Sequence, residues 1–315
     1  MSKSSSLPAV VLLTGPTASG KSGLAVRIAE ELDGIVINAD SMQVYSDLDV
    51  LTARPPRADL DRVEHRLYGV LDGAECCSAG RWRGMALAEI DRGLSQGKLP
   101  VIVGGTGLYI KALEEGIAEI PAVPEEVRAE GMALCRSEGG EAFRARLMEL
   151  DPQAASRLTA GDTQRLVRAW EVWRHTGVTL SDWHQKGREQ VLEPAFNFVR
   201  MALMPDRERL YDNCNRRFDL MLEQGALEEV RKLLERQLPG DLPVMKSLGV
   251  PELAEYLRGN LSLEEARPLA QQNTRRYAKR QMTWIRNQFS SSKWISEQLS
   301  ESFLPEIFNF IRQSA

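Results

Sequence analysis

The chain has 315 residues, a formal net charge of −4, 43% hydrophobic and 27% charged residues. This is the balance of a globular protein with one large or two modest domains, and it excludes a uniformly basic nucleic-acid binder, so any such binding must come from local clusters. No apolar stretch approaches the ~18 residues of a membrane span.

Residues 9–14, AVVLLT, are a continuous apolar run closed by Gly15-Pro16. They read as a strand buried on both faces, not as a secretory leader. Behind Ser22, Leu24, Ile28 and Leu32 recur every four residues, which predicts an amphipathic helix. GIVINAD (34–40) reads as the next strand, which completes one βαβ unit, and a loop-rich region with ARPPR follows. Ser78 is placed to cap a helix over 79–96 with Trp82, Ala86, Ile90 and Leu94 inward. LPVIVGG reads as a third buried strand, running into a short helix that ends at Gly116. Residues 120–190 show no strand pattern and read as short helices broken by Pro and Gly, an all-helical insertion. FNFVRMALMP (196–205) alternates, so the sheet resumes there. Helices are expected over 206–223, 225–236, 249–258 and 262–288, then a strand at KWIS and a terminal helix. The serine runs at 4–6 and 290–292 read as frayed. The fold class is therefore α/β: a P-loop NTPase-like parallel sheet flanked by helices. Residues 1–119 and 191–315 would form the core and 120–190 the insertion.

The strand–helix junction carries Gly15, Pro16, Thr17, Ala18, Ser19, Gly20, Lys21 and Ser22. G-x4-G-K-S in this context predicts a loop whose backbone N–H groups and following helix N-terminus cradle phosphate. Lys21 adds a point charge, and the Ser22 hydroxyl is a candidate Mg²⁺ ligand. A hydrolytic NTPase usually places an acid at the end of an apolar strand. LPVIVGG ends instead in two glycines, which let a ligand approach the backbone. The strand that does end in an acid is GIVINAD, with Asp40. At the carboxyl edge of the sheet, Asp40 is either a base for an acceptor nucleophile, or a residue that only caps a turn or helps hold Mg²⁺.

The segment NTRRYAKRQMTWIRNQ carries Arg275, Arg276, Lys279, Arg280 and Arg286 with no acid. Arg276, Lys279, Arg280 and Thr283 share one helix face, either a nucleic-acid backbone track or a solvated surface. A smaller patch sets Arg165 beside Arg168. Arg216 and Arg217 fall in a helix where salt bridges are the default. His65, His175 and His184 form no cluster. Cys76, Cys77, Cys135 and Cys214 contain no CxxC pair, so neither zinc nor a disulfide framework is indicated, and reduced cytosolic thiols are expected.

Six blocks in order resemble the bacterial tRNA dimethylallyltransferases, also called tRNA isopentenyltransferases: GPTASGKS (15–22), INADSMQVY (37–45), GGTGLYIKAL (104–113), DTQRLVRAWEV (162–172), RFDLMLEQGALEEV (217–230) and RRYAKRQMTWIRN (275–287). They span nearly the whole chain. The resemblance implies transfer of a dimethylallyl group from its diphosphate to N6 of the adenine (position 37) just 3′ of the anticodon, in tRNAs reading U-initial codons. It implies Asp40 as general base. Thr17, Lys21 and Ser22 match the diphosphate and Mg²⁺ contacts, and Arg217 a pyrophosphate contact. Matching tRNA contacts are Asp40, Ser41, Met42, Gln43, Thr106, Arg128, Gln164, Arg165, Leu166, Val167, Arg168, Asn273, Thr274, Arg275, Arg276, Tyr277, Ala278, Lys279 and Arg280. A cytoplasmic monomer acting on the anticodon stem-loop is implied, with Mg²⁺ as cofactor and no membrane partner. The chain departs from the family at Gly249–Glu252, GVPE in place of a GYRQ-like run. Pro251 there removes a backbone donor and Glu252 adds negative charge.

Three rival readings share these motifs: a small-molecule kinase or NTPase, a non-catalytic RNA binder with a relic phosphate loop, and a prenyltransferase for free adenine nucleotide. The missing acid after VIVGG opposes the first and an intact Lys21-Ser22 the second. The helical insertion and the basic stripe favour a macromolecular acceptor over the third.

Overall fold

Among the described residues of this computed structural model (7–189, 196–289, 293–296 and 303–314) six strands form one parallel sheet. The strands are β1 (Ala9–Thr14), β2 (Gly34–Asn38), β3 (His65–Arg66), β4 (Leu99–Gly104), β5 (Asn197–Leu203) and β6 (Lys293–Ile295), ordered β3-β2-β4-β1-β5-β6. The serine runs at 4–6 and 290–292 lie outside the described residues. Central β1 sets Val11 opposite Val101 of β4 and Val199 of β5. Its run is apolar up to Thr14 because both faces are covered. Val10, Leu12, Ile35, Ile37 and Ile102 join one core with helix α3 (Ala79–Ser95), while Val11, Leu13, Val36 and Val101 pack with helices α1 (Lys21–Glu31) and α14 (Leu304–Ser314).

In α1, Leu24 and Ile28 are buried, but Leu32 falls just past the last turn and is only partly covered. Two elements lie in the stretch read as loop: helix α2 (Arg57–Leu60) and the two-residue β3, too short to leave a period in sequence. LPVIVGG is therefore the fourth strand. The GIVINAD strand stops at Asn38, because that side chain turns the chain back. Its Oδ1 accepts from Asp40 N at 2.7 Å, and its Nδ2 donates to Asp40 O and Leu67 O at 3.0 Å each.

Ser78 Oγ accepts from Arg81 N at 3.1 Å and starts α3. One turn on, Trp82 is fully buried and stacks on Tyr109 with centroids 4.5 Å apart. Its Nε1 donates to Asn38 O at 2.9 Å, which braces the end of β2. Trp82→Ala is expected to destabilise the fold by about 3–5 kcal/mol through the cavity it leaves. A chemical-denaturation midpoint unchanged from the parent would show that the site collapses around the gap.

After β5 come α10 (Arg207–Glu223), α11 (Ala226–Glu235), α12 (Val250–Leu257) and α13 (Leu263–Gln288). A capping box between Ser262 and Glu265 starts α13. Its buried stripe is Ala266, Ala270, Thr274, Ala278, Gln281, Met282 and Ile285.

The chain forms two compact units, residues 1–113 with 194–315, and residues 114–193. The second unit holds α5 (Glu125–Glu138), α6 (Gly140–Leu150), α7 (Pro152–Arg157), α8 (Thr163–Thr176) and α9 (Leu180–Glu189). Phe143, Leu147, Leu166, Ala169 and Trp170 fill its own core. Buried Asp151 accepts from Ala154 N at 3.0 Å and Ser181 N at 3.1 Å, so one carboxylate satisfies the starts of two helices. Among the described residues no helix is long and apolar enough to cross a membrane.

Candidate active site

The strand order aligns the carboxyl ends of β2, β4 and β1 along one edge, where open α/β sheets bind ligands. Three segments meet there: Asp40 beyond β2, Gly104-Gly105 ending β4, and the Gly15–Ser22 loop after β1. Ala18 adopts φ 61° and Gly20 φ 92°. A positive φ is uncommon for alanine, and it is held from outside by Asn213 Nδ2, which donates to Ala18 O at 3.3 Å. Left-handed residues within such a turn are the geometry of anion nests. At Gly15 a Cβ would lie 2.8 Å from Leu203 O, which restricts that position to glycine.

Two cations stand at the loop. Lys21 Nζ donates to Pro16 O at 3.3 Å. Burial pushes its pKa down to about 8; Asp40 raises it and Arg217 lowers it further. The protonated form that attracts phosphate thus prevails only below about pH 8. Since kcat/KM reports the free enzyme, its value for a diphosphate substrate is expected to fall along an alkaline limb centred near there. Lys21→Arg should carry that limb out of range, and an unmoved limb would assign it to another group. The linkage to stability has the opposite sign. Unfolded Lys21 keeps its proton up to about 10.5 and the native residue only to about 8, so the unfolded chain binds more protons between them and the fold gains stability as pH rises.

Arg217, from α10, corrects the salt-bridge default, because its Nη2 donates to Thr17 Oγ1. Burial lowers its pKa, while Cys214 and Asp40 pull it back up. Arg216 likewise bonds an amide, Asn213 Oδ1, at 2.6 Å.

Asp40 sits in a braced turn. Its Oδ1 accepts from Met42 N at 3.0 Å. Thr106 Oγ1 accepts from Ser41 N at 2.9 Å and donates to Ser41 Oγ at 3.2 Å. Burial raises the pKa values of Tyr68, Tyr109 and Tyr277, and the Asp40 charge adds to each, so all three phenols stay protonated. Gln43 spends its amide on the backbone, donating to Thr52 O and Ala53 O at 2.9 Å each. From α11, Glu229 accepts from Asp49 N, Val50 N and Leu51 N at 2.8, 2.8 and 3.0 Å.

A cavity of about 230 Å³ opens among these groups. Thr17, Asp40, Arg217 and Tyr277 are on its polar wall, with Lys246 and Arg280. Met42, Leu51, Phe218, Met221 and Leu248 add apolar lining. Phosphate-type and hydrocarbon chemistry therefore share one space with a carboxylate.

On α13, Arg276, Lys279, Arg280 and Thr283 are all exposed on one face. Arg275 Nη1 donates to Asn215 Oδ1 at 2.5 Å. Ala278 corrects the sequence reading: it is fully buried in the core and has no surface to offer a partner. Thr274 is buried, with its hydroxyl on Ala270 O at 2.9 Å. Pro251 lies in the first turn of α12, where its missing N–H costs nothing. Glu252 Oε1 accepts from Asn273 Nδ2 at 2.6 Å, so the GVPE departure engages a residue expected to touch RNA. In the 114–193 unit, Arg128, Gln164, Arg165 and Arg168 are exposed, and Arg168 Nη1 pairs with Glu171 Oε1 at 2.6 Å. Leu166 and Val167 are a second correction, since both are buried in that unit's core. Sequence reasoning missed Gln281, Glu229 and Lys246. Only Gln281 left a signal, as a long polar residue on a helix stripe otherwise made of alanine, methionine, isoleucine and one threonine.

Among the described residues no group of three or more His, Cys, Asp or Glu side chains is arranged to hold a metal. The exposed Ser22 hydroxyl in the first turn of α1 remains. That donor set suits Mg²⁺ carried by substrate phosphates, which takes few protein ligands.

A family model described as IPP transferase matches residues 43–288, and one described as isopentenyl transferase matches residues 8–74. The chain is 54% identical to a tRNA dimethylallyltransferase of Rhodospirillum centenum over 284 residues, 90% of each chain. It is 51% identical to that of Paramagnetospirillum magneticum, over 98% of each. The full-length tRNA isopentenylpyrophosphate transferase of Bacillus halodurans superposes with a TM-score of 0.71 at 34% identity, covering 98% of this chain and 97% of that one. A eukaryotic dimethylallyltransferase acting on tRNA gives 0.78 at 26% identity, over 92% of this chain and 74% of that one. A family match over most of the chain and relatives half identical along its length lead to one conclusion: the chain belongs to the IPP transferase family of tRNA dimethylallyltransferases.

Proposed function

We propose that the chain transfers the dimethylallyl group of dimethylallyl diphosphate to N6 of the adenine 3′-adjacent to the anticodon, position 37, in tRNAs reading U-initial codons, with release of diphosphate. The observation that carries this reading is the single cavity shared by Thr17 and Arg217 of the phosphate loop's surroundings and by Asp40.

An exocyclic adenine amine is a weak nucleophile, because its lone pair is delocalised into the ring. The reaction needs a good leaving group and an acceptor for the amine proton. The loop N–H groups, Lys21 and Arg217 stabilise charge that builds on the leaving diphosphate as the C–O bond breaks. Mg²⁺, when bound through Ser22 and the phosphates, supplies further neutralisation of that charge. The apolar lining of Met42, Phe218 and Met221 would offer the hydrocarbon tail a surface. As the C–N bond forms, Asp40 takes the proton from N6.

The adenine reaches Asp40 only once unstacked and turned out of the anticodon loop. The Asp40–Gln43 turn and Thr106 would line its pocket. Arg276, Lys279 and Arg280 would follow the RNA backbone, joined by Asn273, Arg275 and Tyr277 of the same helix. Arg128, Gln164, Arg165 and Arg168 are the exposed candidates of the helical unit. A tRNA acceptor implies a cytoplasmic setting.

The test is incubation with labelled dimethylallyl diphosphate, Mg²⁺ and unmodified tRNA, with ATP and AMP in parallel tubes. Label is expected on tRNA alone. Label on AMP, or stoichiometric cleavage of ATP, would replace the proposal with one of its rivals.

A further inference from the structure

We infer that Gln281 is a positioning residue for the transfer reaction proposed above: its carboxamide locks the phosphate loop to the β4 turn and so fixes the distance between leaving group and base. Its neighbours on the inner stripe of α13 are Ala278, Met282 and Ile285, all buried. A carboxamide in such a place is costly unless both its ends are bonded. Both are. Oε1 accepts from Thr17 N at 2.8 Å, and Nε2 donates to Gly105 O at 2.9 Å.

The two partners stand on opposite sides of the chemistry. Thr17 is the loop residue whose hydroxyl receives Arg217. It is therefore held at its hydroxyl by α10 and at its nitrogen by α13. Gly105 precedes Thr106, whose Oγ1 carries the Ser41 N–H next to Asp40. One side chain thus spans the diphosphate side and the proton-accepting side. It also explains the second glycine of the pair that ends β4, since a Cβ at Gly105 would run into Gln281 Nε2. With the Thr17 N–H committed to Gln281 and the Ser19 N–H to Pro16 O, the anion donors of the loop are left to residues 18 and 20–22.

A shift of about 1 Å between reacting groups costs on the order of 10²-fold in rate. Gln281→Met keeps the length and removes both hydrogen bonds. It is expected to lower kcat about 10- to 100-fold with the KM for tRNA unchanged. It should also weaken binding of inorganic pyrophosphate about tenfold in calorimetry, the equivalent of one lost hydrogen bond. Gly105→Ala, which dislodges the carboxamide without altering it, should give the same pattern. The double variant should be no worse than the poorer single one, because both break the same tie. If Gln281→Met fails to fold, Gln281→Asn carries the same expectation, since it is one methylene too short to reach both partners.

A kcat within twofold of the parent, losses that multiply in the double variant, or a tRNA KM that rises in step with the fall in kcat would each overturn the inference. Pyrophosphate binding needs neither tRNA nor prenyl donor. Were the parent to transfer nothing, the proposed reaction would fall, and the role of Gln281 would still be decided by that titration.

Discussion

Asp40→Asn is expected to turn over about 10²–10⁴-fold more slowly than the parent, the usual cost of losing a positioned base, with tRNA affinity intact. The substitution is nearly silent in shape. Asparagine keeps an Oδ1 to accept from Met42 N, and neither Asn38 nor Thr106 braces the turn through the carboxylate itself. What disappears is the proton acceptor and one negative charge. The charge has a separate readout: Asp40 raises the pKa of Lys21, so the alkaline limb of kcat/KM should move to lower pH in this variant. Single-turnover rates and filter binding with the same tRNA measure the two parts. Near-normal turnover with a displaced limb would make Asp40 a tuner of Lys21, and the base would have to be sought elsewhere.

Arg217→Met is expected to cost about 10²–10³ in kcat, the scale of losing one preorganised donor to a developing oxyanion. Its other effects run the opposite way from those of Asp40→Asn. Arg217 lowers the pKa of Lys21, so the alkaline limb should move up. The guanidinium is half-buried against a hydroxyl, Thr17 Oγ1, and not a carboxylate. A partly desolvated, incompletely compensated cation weighs against folding, so methionine of similar length should raise the melting temperature of the free protein. A slow enzyme that melts higher would mark Arg217 as kept for chemistry. A variant that is both slow and less stable would mark it as a structural prop, and the assignment to diphosphate would fail.

The strands and helices were legible wherever burial imposes a period. AVVLLT announced a two-faced central strand, and Ser78 with Trp82, Ala86 and Ile90 announced α3 within a residue of its bounds. The phosphate loop was legible because its glycines are required by backbone geometry, at Gly15 by the Leu203 carbonyl and at Gly20 by φ 92°. The end of β2 was misplaced by two residues, since a side chain, Asn38, ends the ladder and leaves no trace in hydropathy. Contiguous motif blocks also overreach. A helix turns about a hundred degrees per residue, so DTQRLVR and RRYAKR must carry core residues between surface ones, and Leu166, Val167 and Ala278 are those. Gln281 and Glu229 went unseen because their partners lie 176 to 264 residues and 178 to 180 residues away, respectively. Nothing local in a sequence encodes such pairings.

The ties that fasten the phosphate loop and the Asp40 turn arrive late in the chain. Thr17 waits for Arg217 and Gln281, Ala18 for Asn213, and the Asp49–Leu51 backbone for Glu229. Even β1 lacks one of its two ladder neighbours until β5 is made. A nascent polypeptide emerging from the ribosome therefore displays the whole glycine loop and its acidic companion long before the side chains that give them a fixed shape, and an incomplete product of translation carries the motif without the machine.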